Sequence, residues 1–208
     1  MSENEVNTLL EVMPVVHKIL EPSMNPEARF IRDYRTLALV TQVLRSMGKK
    51  IVMTKGVYDM LHVGHVRYIS DAKQNGDILV VSIDTDELTR SRKGPRRPVV
   101  PEDERLEMLL HLRYVDIITF RSGKPEEEEE DIAAVRPHVL VTSESTKDYT
   151  DAKKEHLREA YGVEIQTLSP RAETSTTARI RTLMIDGAEE LGQEVSRVVS
   201  EFLRKLGG

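Results

Sequence analysis

Hydrophobic residues recur at helical spacing in the N-terminal part of the chain and predict two helices. The first helix places its apolar residues on one face, at Val6, Leu9, Leu10, Met13 and Val16. A longer amphipathic helix follows Pro22 and Pro26 and is expected to end near Gly48. Its hydrophobic positions are Phe30, Ile31, Tyr34, Leu37, Ala38, Leu44 and Met47. Because both helices precede the first strand pattern, residues 1–49 are expected to form a helical extension of a core domain.

From Lys50 onward, short apolar runs alternate with helical patterns. Five runs rich in Ile and Val are candidate strands: IVMT (51–54), DILVVSI (77–83), VDIITF (115–120), HVLVTS (138–143) and EIQTL (164–168). Candidate helices begin near His65, Pro101, Pro125, Asp151 and Ser175, and Gly76 is a plausible cap at the end of the first of them. Strands that are almost wholly apolar are buried on both faces, as in a parallel sheet covered by helices. The pattern therefore predicts an α/β fold with a doubly wound parallel sheet over residues 50–185.

Two further segments have a simple helical interpretation. The acidic run EEEEED (126–131) follows Pro125 and precedes IAAV. We interpret it as the solvated first turn of a helix rather than an interaction motif, because acidic residues there complement the helix dipole. Residues 186–208 predict an amphipathic C-terminal helix that packs on the core or on a partner subunit. Its apolar residues are Leu191, Val195, Val198, Phe202 and Leu206.

Composition narrows the class of protein. The 208 residues are 39% hydrophobic and 31% charged, which is typical of a soluble globular protein. A net charge of -5 argues against broad nucleic-acid binding, which depends on many Lys and Arg side chains. The absence of Cys excludes disulfides, thiolate zinc sites and a cysteine nucleophile, and it fits a reducing, cytoplasmic setting. With no signal-peptide pattern and no apolar run of membrane-spanning length, we expect no membrane association.

The stretch GVYDMLHVGH (56–65) places two histidines directly after the first candidate strand, where sheets of this kind bind ligands. Gly56 allows the backbone to approach a ligand closely because it has no Cβ. His65 is expected near a helix N-terminus, where free N–H groups and the helix dipole favour an anion. His62 lies in the turn before it, so both rings are placed to donate hydrogen bonds to phosphate oxygens.

Two other interpretations of the histidine pair are open at this point. A metal site needs a third ligand, and HVGH does not have the spacing of the helical HExxH zinc motif. Two histidines that merely cap a turn are an ordinary structural arrangement. The choice between these interpretations depends on the rest of the chain.

Three segments of the chain resemble a known family. They are KGVYDMLHVGHVRYISDAKQNGDILVVSIDTDE, RKGPRRPVVPEDERLEMLLHLRYVD and ETSTTARI. In this order they resemble the nucleotidyltransferase family marked by a GxFDxxHxGH signature, with Tyr58 at the aromatic position. The family includes glycerol-3-phosphate and ethanolamine-phosphate cytidylyltransferases and the nucleotidyltransferase half of ADP-heptose synthase. KGPRRPVVPEDER and VDIITF are most similar to ADP-heptose synthase, whereas RYVD is also similar to glycerol-3-phosphate cytidylyltransferase.

The resemblance implies a Rossmann-like nucleotidyltransferase fold and transfer of a nucleoside monophosphate. A phosphate oxygen of the substrate would attack the α-phosphorus of a nucleoside triphosphate, and pyrophosphate would leave. Such chemistry needs positioning and stabilisation of negative charge rather than a protein nucleophile. The resemblance implies that His62, His65 and Lys93 are catalytic, with Lys93 near the α-phosphate. The alternative for Lys93 is a solvated basic loop, since four arginines surround it.

The resemblance also implies a set of nucleotide-binding residues: Gly56, Tyr58, Asp59, Gly64, Arg105, Arg171, Ser175, Thr176 and Thr177. Asp59, the signature acid, either fixes the turn, orients a histidine or contacts magnesium. Arg105 is expected to bind nucleotide phosphates or base-side groups. The Ser-Thr-Thr run is expected to bind the β- and γ-phosphates at a helix start, although Ser and Thr are also common N-cap residues. Asp86 is a candidate substrate-binding residue, and a solvated loop acid is its alternative.

The implied ligands are a nucleoside triphosphate with Mg²⁺ and a small phosphorylated acceptor, with no protein ligand of a metal assigned. Similarity to ADP-heptose synthase favours ATP and heptose 1-phosphate, and similarity to glycerol-3-phosphate cytidylyltransferase favours CTP with an alcohol or polyol phosphate. TSESTKDY (142–149) replaces the lysine and glycines that ADP-heptose synthase has after its fourth strand. This departure leaves open a nucleotide-binding regulatory protein without turnover. A homodimer is expected because family members commonly pair, unless the terminal helices fold back on their own core.

Overall fold

A computed structural model describes residues 3–21, 26–122, 129–144, 146, 149–169 and 176–206, with only the backbone for helix residues 3–9, 176–181 and 200–206. The helices are α1 (Glu3–Leu20), a 3-10 helix (Pro26–Arg29), α2 (Tyr34–Ser46), α3 (Val63–Lys73), α4 (Asp86–Lys93), α5 (Glu102–Leu110), α6 (Glu130–Val135), α7 (Asp151–Tyr161) and α8 (Thr176–Leu206). The strands are β1 (Ile51–Gly56), β2 (Ile78–Asp84), β3 (Ile117–Arg121), β4 (Val139–Ser143) and β5 (Glu164–Leu168).

The five strands form one parallel sheet in the order β3-β2-β1-β4-β5. The chain therefore runs from the central strand β1 to one edge through β2 and β3, then crosses back to β4 and β5. Helices cover both faces, which confirms the predicted doubly wound α/β fold. All five predicted strands are present, because apolar runs such as ILVV in β2 are buried on both faces.

The two faces of the sheet bury separate apolar clusters. One cluster joins side chains of α1, α2 and α6 to alternate strand residues such as Ile51, Met53 and Val80. The other joins α3 and α5 to the strand residues that point the opposite way, such as Val52 and Val81. This alternation follows from the two-residue period of a strand. The same alternation decides the face of the sheet on which each polar residue at a strand end lies.

The N-terminal segment departs from the predicted pattern at Phe30 and Ile31. These residues were expected inside the second helix, but α2 begins at Tyr34, with Asp33 as its N-cap. Phe30 forms a parallel bridge with Ile118, and the Ile31 N–H donates to the Ile118 carbonyl at 2.9 Å. The segment thus pairs with the edge strand β3, a tertiary contact that helical spacing cannot reveal.

The helices α1 and α2 share their core with the sheet. Val12 and Val16 of α1 and Leu37 and Val40 of α2 are buried in the same cluster as β1. By compactness the chain divides into two units, Met1–Arg171 and Ala172–Gly208. The functional domain boundaries at residues 49/50 and 185/186 stay predictions.

Most helix starts agree with the sequence, and three details differ. The helix expected near Pro125 begins at Glu130, and residues 123–128 lie outside the described part of the chain. Gly76, expected as a helix cap, follows the α3 C-cap Gln74 and has no positive φ. Glycine is needed at this position because a Cβ there would lie 2.6 Å from the Lys50 carbonyl oxygen. Helix α4 was not predicted at all.

The second unit contains one long helix, α8, in which the helix expected near Ser175 and the amphipathic C-terminal helix expected over residues 186–208 are continuous. Leu191, Val195 and Val198 are each more than half exposed. What they pack against in solution stays a prediction. None of the described helices has the length and apolar character needed to cross a bilayer.

Candidate active site

The two signature histidines cap the start of α3 together. His62 is the N-cap residue and His65 occupies the third helical position, an arrangement of the capping-box type. The His62 Nδ1 accepts from the Gly64 N–H at 3.0 Å, and the His65 Nδ1 accepts from the His62 N–H at 3.4 Å. The rings stack with centroids 4.0 Å apart. The capping interpretation therefore describes the geometry correctly. The capping hydrogen bonds engage the Nδ1 atom of each ring.

The capping contacts define the tautomer of each neutral ring. A ring nitrogen that accepts a hydrogen bond carries no hydrogen, so each neutral imidazole has its hydrogen on Nε2. The pKa of His65 is lowered from 6.5 to about 4, mainly by burial and also by the neighbouring His62, while Asp59 acts in the opposite direction. His65 is therefore neutral at neutral pH in the free protein. The pair offers two Nε2–H donors close together at a helix N-terminus.

The loop that leads into α3 has an unusual backbone. Tyr58 and Met60 have positive φ angles of 54° and 49°, which residues other than Gly rarely adopt. The buried Tyr58 ring packs edge-on against His65, with centroids 5.7 Å apart. A Cβ on Gly56 would approach that ring at 3.3 Å. Gly56 and Tyr58 thus shape the loop that carries the histidines.

Asp59 holds this loop to the segment that follows α4. Its carboxylate accepts from the N–H groups of Val99 and Val100 at 3.1 and 3.0 Å and pairs with Arg97 at 2.8 Å. Burial by itself would raise the pKa of Asp59, but these donors outweigh it and lower the pKa. The geometry supports the turn-fixing role among the three expected for this residue.

Among the described residues, Arg105 has the largest fully buried side chain, and it joins three segments. Its guanidinium donates to the carbonyls of Val57, Asp84 and Val100 and to the carboxylate of Asp86, the last at 2.8 Å. Contact between Arg105 and nucleotide phosphates stays untested. Its burial and its protein partners favour a positioning role, in which it connects the signature loop to the ends of β2 and of the basic segment.

Helix α4 carries Asp86 at its first position and Lys93 at its last. Asp86 is paired with Arg105 and, at 3.3 Å, with Arg90, so it is not the solvated loop acid that the sequence left open. Lys93 is exposed, and its positive charge is among the causes that lower the pKa of His65. The catalytic role of Lys93 stays a prediction.

A group of charged residues at the carboxyl ends of β1, β2 and β3 was missed by sequence reasoning. We call it the strand-end cluster: Lys55, Asp84, Arg92, Arg121 and Asp131. Lys55 pairs with Asp131 at 2.7 Å, and the Ser82 hydroxyl donates to the same carboxylate at 2.6 Å. Arg121 pairs with Asp84 at 2.8 Å, and Arg92 lies 3.3 Å from the other Asp84 oxygen.

The sequence held one signal for this cluster. Lys55, Asp84 and Arg121 each end or nearly end an apolar strand, where charged residues face the ligand edge of the sheet. Asp131 gave no such signal because it belongs to the run EEEEED. The interpretation of that run as solvated is wrong for Asp131, whose side chain is 0% exposed.

Several predicted site residues have no described geometry. Arg171 and Ser175 lie outside the described residues. Thr176 and Thr177 begin α8 in the second unit, and only their backbone is described. Within TSESTKDY, residues 145, 147 and 148 are likewise outside. The geometry above therefore concerns the first unit.

The described residues contain no group of three or more His, Asp or Glu side chains that could hold a metal ion. The carboxylates of Asp59 and Asp86 are already engaged, the first with Arg97 and the second with Arg105. These described carboxylates therefore do not form a metal site by themselves. An ion bound to the phosphates of a nucleoside triphosphate remains compatible with them.

Residues 53–187, more than half of the chain, match the sequence model of the cytidylyltransferase-like family. The chain therefore belongs to this family, and its class is that of nucleotidyltransferases.

Curated relatives agree with this class. The chain is 38% identical over 117 residues to the bifunctional protein HldE of a Nitratiruptor species, covering 56% of this chain and 25% of that protein. It is 34% identical over 157 residues to the protein of the same name from Pelobacter propionicus, covering 74% of this chain and 31% of the relative. The HldE protein of Yersinia pestis (strain Pestoides F) is 34% identical over 154 residues, with 74% and 32% covered. The chain thus spans a quarter to a third of these relatives.

Solved structures support the fold. The lipopolysaccharide core biosynthesis protein from Thermoplasma volcanium GSS1 is 26% identical with a TM-score of 0.51, and the match covers 61% of this chain and all of that one. Pantoate-beta-alanine ligase from Francisella tularensis is 16% identical with a TM-score of 0.52, covering 69% and 67%, and shows the fold alone.

Proposed function

We propose that this chain transfers a nucleoside monophosphate, in the first place from ATP, to a small phosphorylated sugar such as heptose 1-phosphate, with release of pyrophosphate. The observation that carries the proposal is the pair of Nε2–H donors of His62 and His65 at the start of α3. They lie after β1, at the edge where doubly wound sheets bind ligands. Two Nε2–H donors at a helix N-terminus suit the oxygens of a triphosphate.

In the reaction, a phosphate oxygen of the acceptor attacks the α-phosphorus. A new phosphorus–oxygen bond forms as the bond from the α-phosphorus to the bridging oxygen breaks, and pyrophosphate leaves with that electron pair. Negative charge increases on the leaving group, so donors fixed in advance stabilise the transition state. His62 and His65 supply hydrogen bonds, and Lys93 supplies positive charge at the α-phosphate.

Other residues of the motif act by positioning. Arg105 and Asp59 connect the histidine loop to Asp86 at the start of α4 and to the segment after that helix. Fixed donors avoid the cost of reorganisation when the reaction occurs. Gly56, Tyr58 and Gly64 shape the loop, and Arg171 with Ser175, Thr176 and Thr177 is proposed to bind the β- and γ-phosphates.

Mg²⁺ is proposed to enter with the triphosphate. The carboxylates of Asp59 and Asp86 are engaged by arginines, so the ion would be held by phosphate oxygens and water, which is common for Mg²⁺. When bound, it neutralises part of the triphosphate charge.

The choice of ATP and a sugar phosphate is supported by the similarity of KGPRRPVVPEDER and VDIITF to ADP-heptose synthase and by the HldE relatives. One structural neighbour is named for lipopolysaccharide core biosynthesis, which also fits a sugar acceptor. CTP with an alcohol or polyol phosphate is the second candidate, favoured by the cytidylyltransferase-like family itself and by RYVD.

Release of pyrophosphate tests the proposal. Purified protein with Mg²⁺ is assayed against ATP and CTP, each with heptose 1-phosphate, other sugar 1-phosphates and glycerol 3-phosphate. We expect release that requires both a triphosphate and an acceptor. No release across the panel contradicts the proposal, and if the triphosphate still binds, the chain is the regulatory nucleotide-binding protein that the TSESTKDY departure suggests.

We also propose a cytoplasmic homodimer. Leu191, Val195 and Val198 of α8 repeat at helical spacing and are exposed by 65%, 53% and 52%, which suits pairing with a second copy. Light scattering at micromolar concentration should give twice the 23.7 kDa mass of the chain. A monomeric mass removes this part of the proposal.

A further inference from the structure

We propose that Arg92, fixed by Asp84 and Arg121, binds the phosphate monoester group of the acceptor. The inference rests on the proposed nucleotidyltransferase function and adds to it a residue that the family signatures do not include.

The geometry around Asp84 forms a built support for Arg92. The Asp84 side chain is 3% exposed, and one carboxylate oxygen accepts from Arg121 at 2.8 and 3.0 Å. The other oxygen lies 3.3 Å from Arg92. Arg121 is 8% exposed and Arg92 is 34% exposed. A buried pair therefore holds a guanidinium that still reaches the surface, which reduces the entropy lost when Arg92 binds a ligand.

The charge of the strand-end cluster favours an anion. Its buried charges balance in pairs, Lys55 with Asp131 and Arg121 with Asp84, and the cation that reaches the surface is Arg92. A phosphate monoester is a dianion near neutral pH and accepts hydrogen bonds from a planar guanidinium in bidentate geometry.

The position of the cluster assigns it to the acceptor. The strand order places the topological switch point between β1 and β4, the usual place for a nucleotide. The Asp84–Arg121 pair lies on the other side of β1, at the ends of β2 and β3. The histidines follow β1 and lie between these two regions in strand order. Since attacking and leaving oxygens lie in line on opposite sides of the α-phosphorus, the acceptor belongs on the β2–β3 side.

The neighbouring arginines differ from Arg92 in their contacts. Arg90, two residues earlier on α4, is 54% exposed and makes only an i,i+4 pair with Asp86 among its described contacts. Arg97 is engaged by Asp59, and Arg105 is fully buried. Arg90 therefore serves as a matched control, with the same charge on the same helix but without a buried support.

The experiment compares the full-length protein with Arg92→Gln and Arg90→Gln by thermal shift. Each of the three proteins is first saturated with Mg²⁺ and the α,β-methylene analogue of ATP or CTP, whichever binds. It is then titrated with methyl phosphate, a minimal monoester dianion. Dimethyl phosphate, a diester monoanion, is the ligand control. Both variants should fold, because Arg121 still neutralises Asp84 after Arg92 is replaced.

We expect methyl phosphate to stabilise the wild type and Arg90→Gln, and its apparent affinity to fall about tenfold or more in Arg92→Gln. The nucleotide analogue should stabilise all three proteins equally, and dimethyl phosphate should have little effect.

The inference is overturned if methyl phosphate does not stabilise the wild type, or if it stabilises the two variants equally. It is also overturned if the nucleotide analogue no longer stabilises Arg92→Gln, because that result would assign Arg92 to the triphosphate. Because the analogue cannot react, this test does not depend on turnover. If neither analogue binds, the proposed function fails, and the methyl phosphate titration without nucleotide decides separately on Arg92.

Discussion

Lys55 and Asp131 form an ion pair at the carboxyl end of the central strand, with Nζ and Oδ1 2.7 Å apart and side-chain exposures of 4% and 0%. Burial lowers the pKa of Lys55, whereas the charge of Asp131 acts to raise it. Ser82 and the Ile132 N–H complete the hydrogen bonds of the carboxylate. The pair is therefore saturated, and each charge depends on the other.

Replacement of Asp131 by Asn should destabilise the protein strongly, because it leaves the Lys55 ammonium buried without its counterion. We expect a loss of about 3 kcal/mol or more in the free energy of unfolding, measured by urea denaturation. Asp151→Asn is the control, since its carboxylate is fully exposed and 3.6 Å from Lys154, and only a small change is expected from its place in the first turn of α7. Equal effects of the two substitutions would contradict the account.

The sequence predicted those parts of the fold that depend on local patterns. Strands β1 to β4 were found because their residues are largely apolar on both faces, and the site was found because GVYDMLHVGH follows the first strand. The predictions for Phe30 and Asp131 are wrong because their partners, Ile118 and Lys55, are more than seventy positions away in the chain. Long-range pairs of this kind leave no periodic signal.

Helix α4 shows a different limit. Its sequence, DELTRSRK, has few apolar residues, so its pattern does not predict a helix. The helix is stabilised by its N-cap, where the Thr85 hydroxyl accepts from the Leu88 N–H, and by tertiary contacts of Asp86 and Arg92 at its two ends. Those contacts also position Lys93, so the helix that the sequence missed is the one that holds a predicted catalytic residue.

Gly76→Ala should destabilise the protein. The new Cβ would lie 2.6 Å from the Lys50 carbonyl oxygen and 2.7 Å from Val52 Cγ2, so the turn after α3 would have to move away from β1. We expect a loss of about 1–3 kcal/mol in the free energy of unfolding, again by urea denaturation.

Gly187→Ala is the matched control for this substitution. Gly187 lies inside α8, and a Cβ there meets nothing within 4 Å. Alanine should stabilise that helix by about 0.5–1 kcal/mol, since it reduces the entropy of the unfolded chain. If Gly76→Ala were tolerated as well as Gly187→Ala, the close packing described for Gly76 would be wrong.

Stability should fall as pH decreases through the window of the His65 titration. The pKa of His65 is lowered from its ordinary value of 6.5 to about 4 in the folded protein, and burial is the main cause of the decrease. Between these values the unfolded chain binds more protons than the folded one, so acid favours unfolding. The shift corresponds to about 3 kcal/mol, present above pH 6.5 and lost as the pH falls to about 4.

His65→Asn isolates this contribution, because Asn retains a hydrogen-bond acceptor for the His62 N–H but does not titrate. Urea denaturation over the same pH window should give a shallower dependence for the variant than for the wild type. Parallel curves would show that His65 is not the group responsible.

The central claim is that the His62 and His65 donors accelerate transfer to a phosphorylated acceptor. Its most direct test is the rate of pyrophosphate release with Mg²⁺, ATP and heptose 1-phosphate, in the wild type and in His65→Asn at neutral pH. The account predicts acceptor-dependent release by the wild type and a rate lower by about 10²–10³ in a folded His65→Asn protein. A folded variant that retains the wild-type rate would contradict the claim.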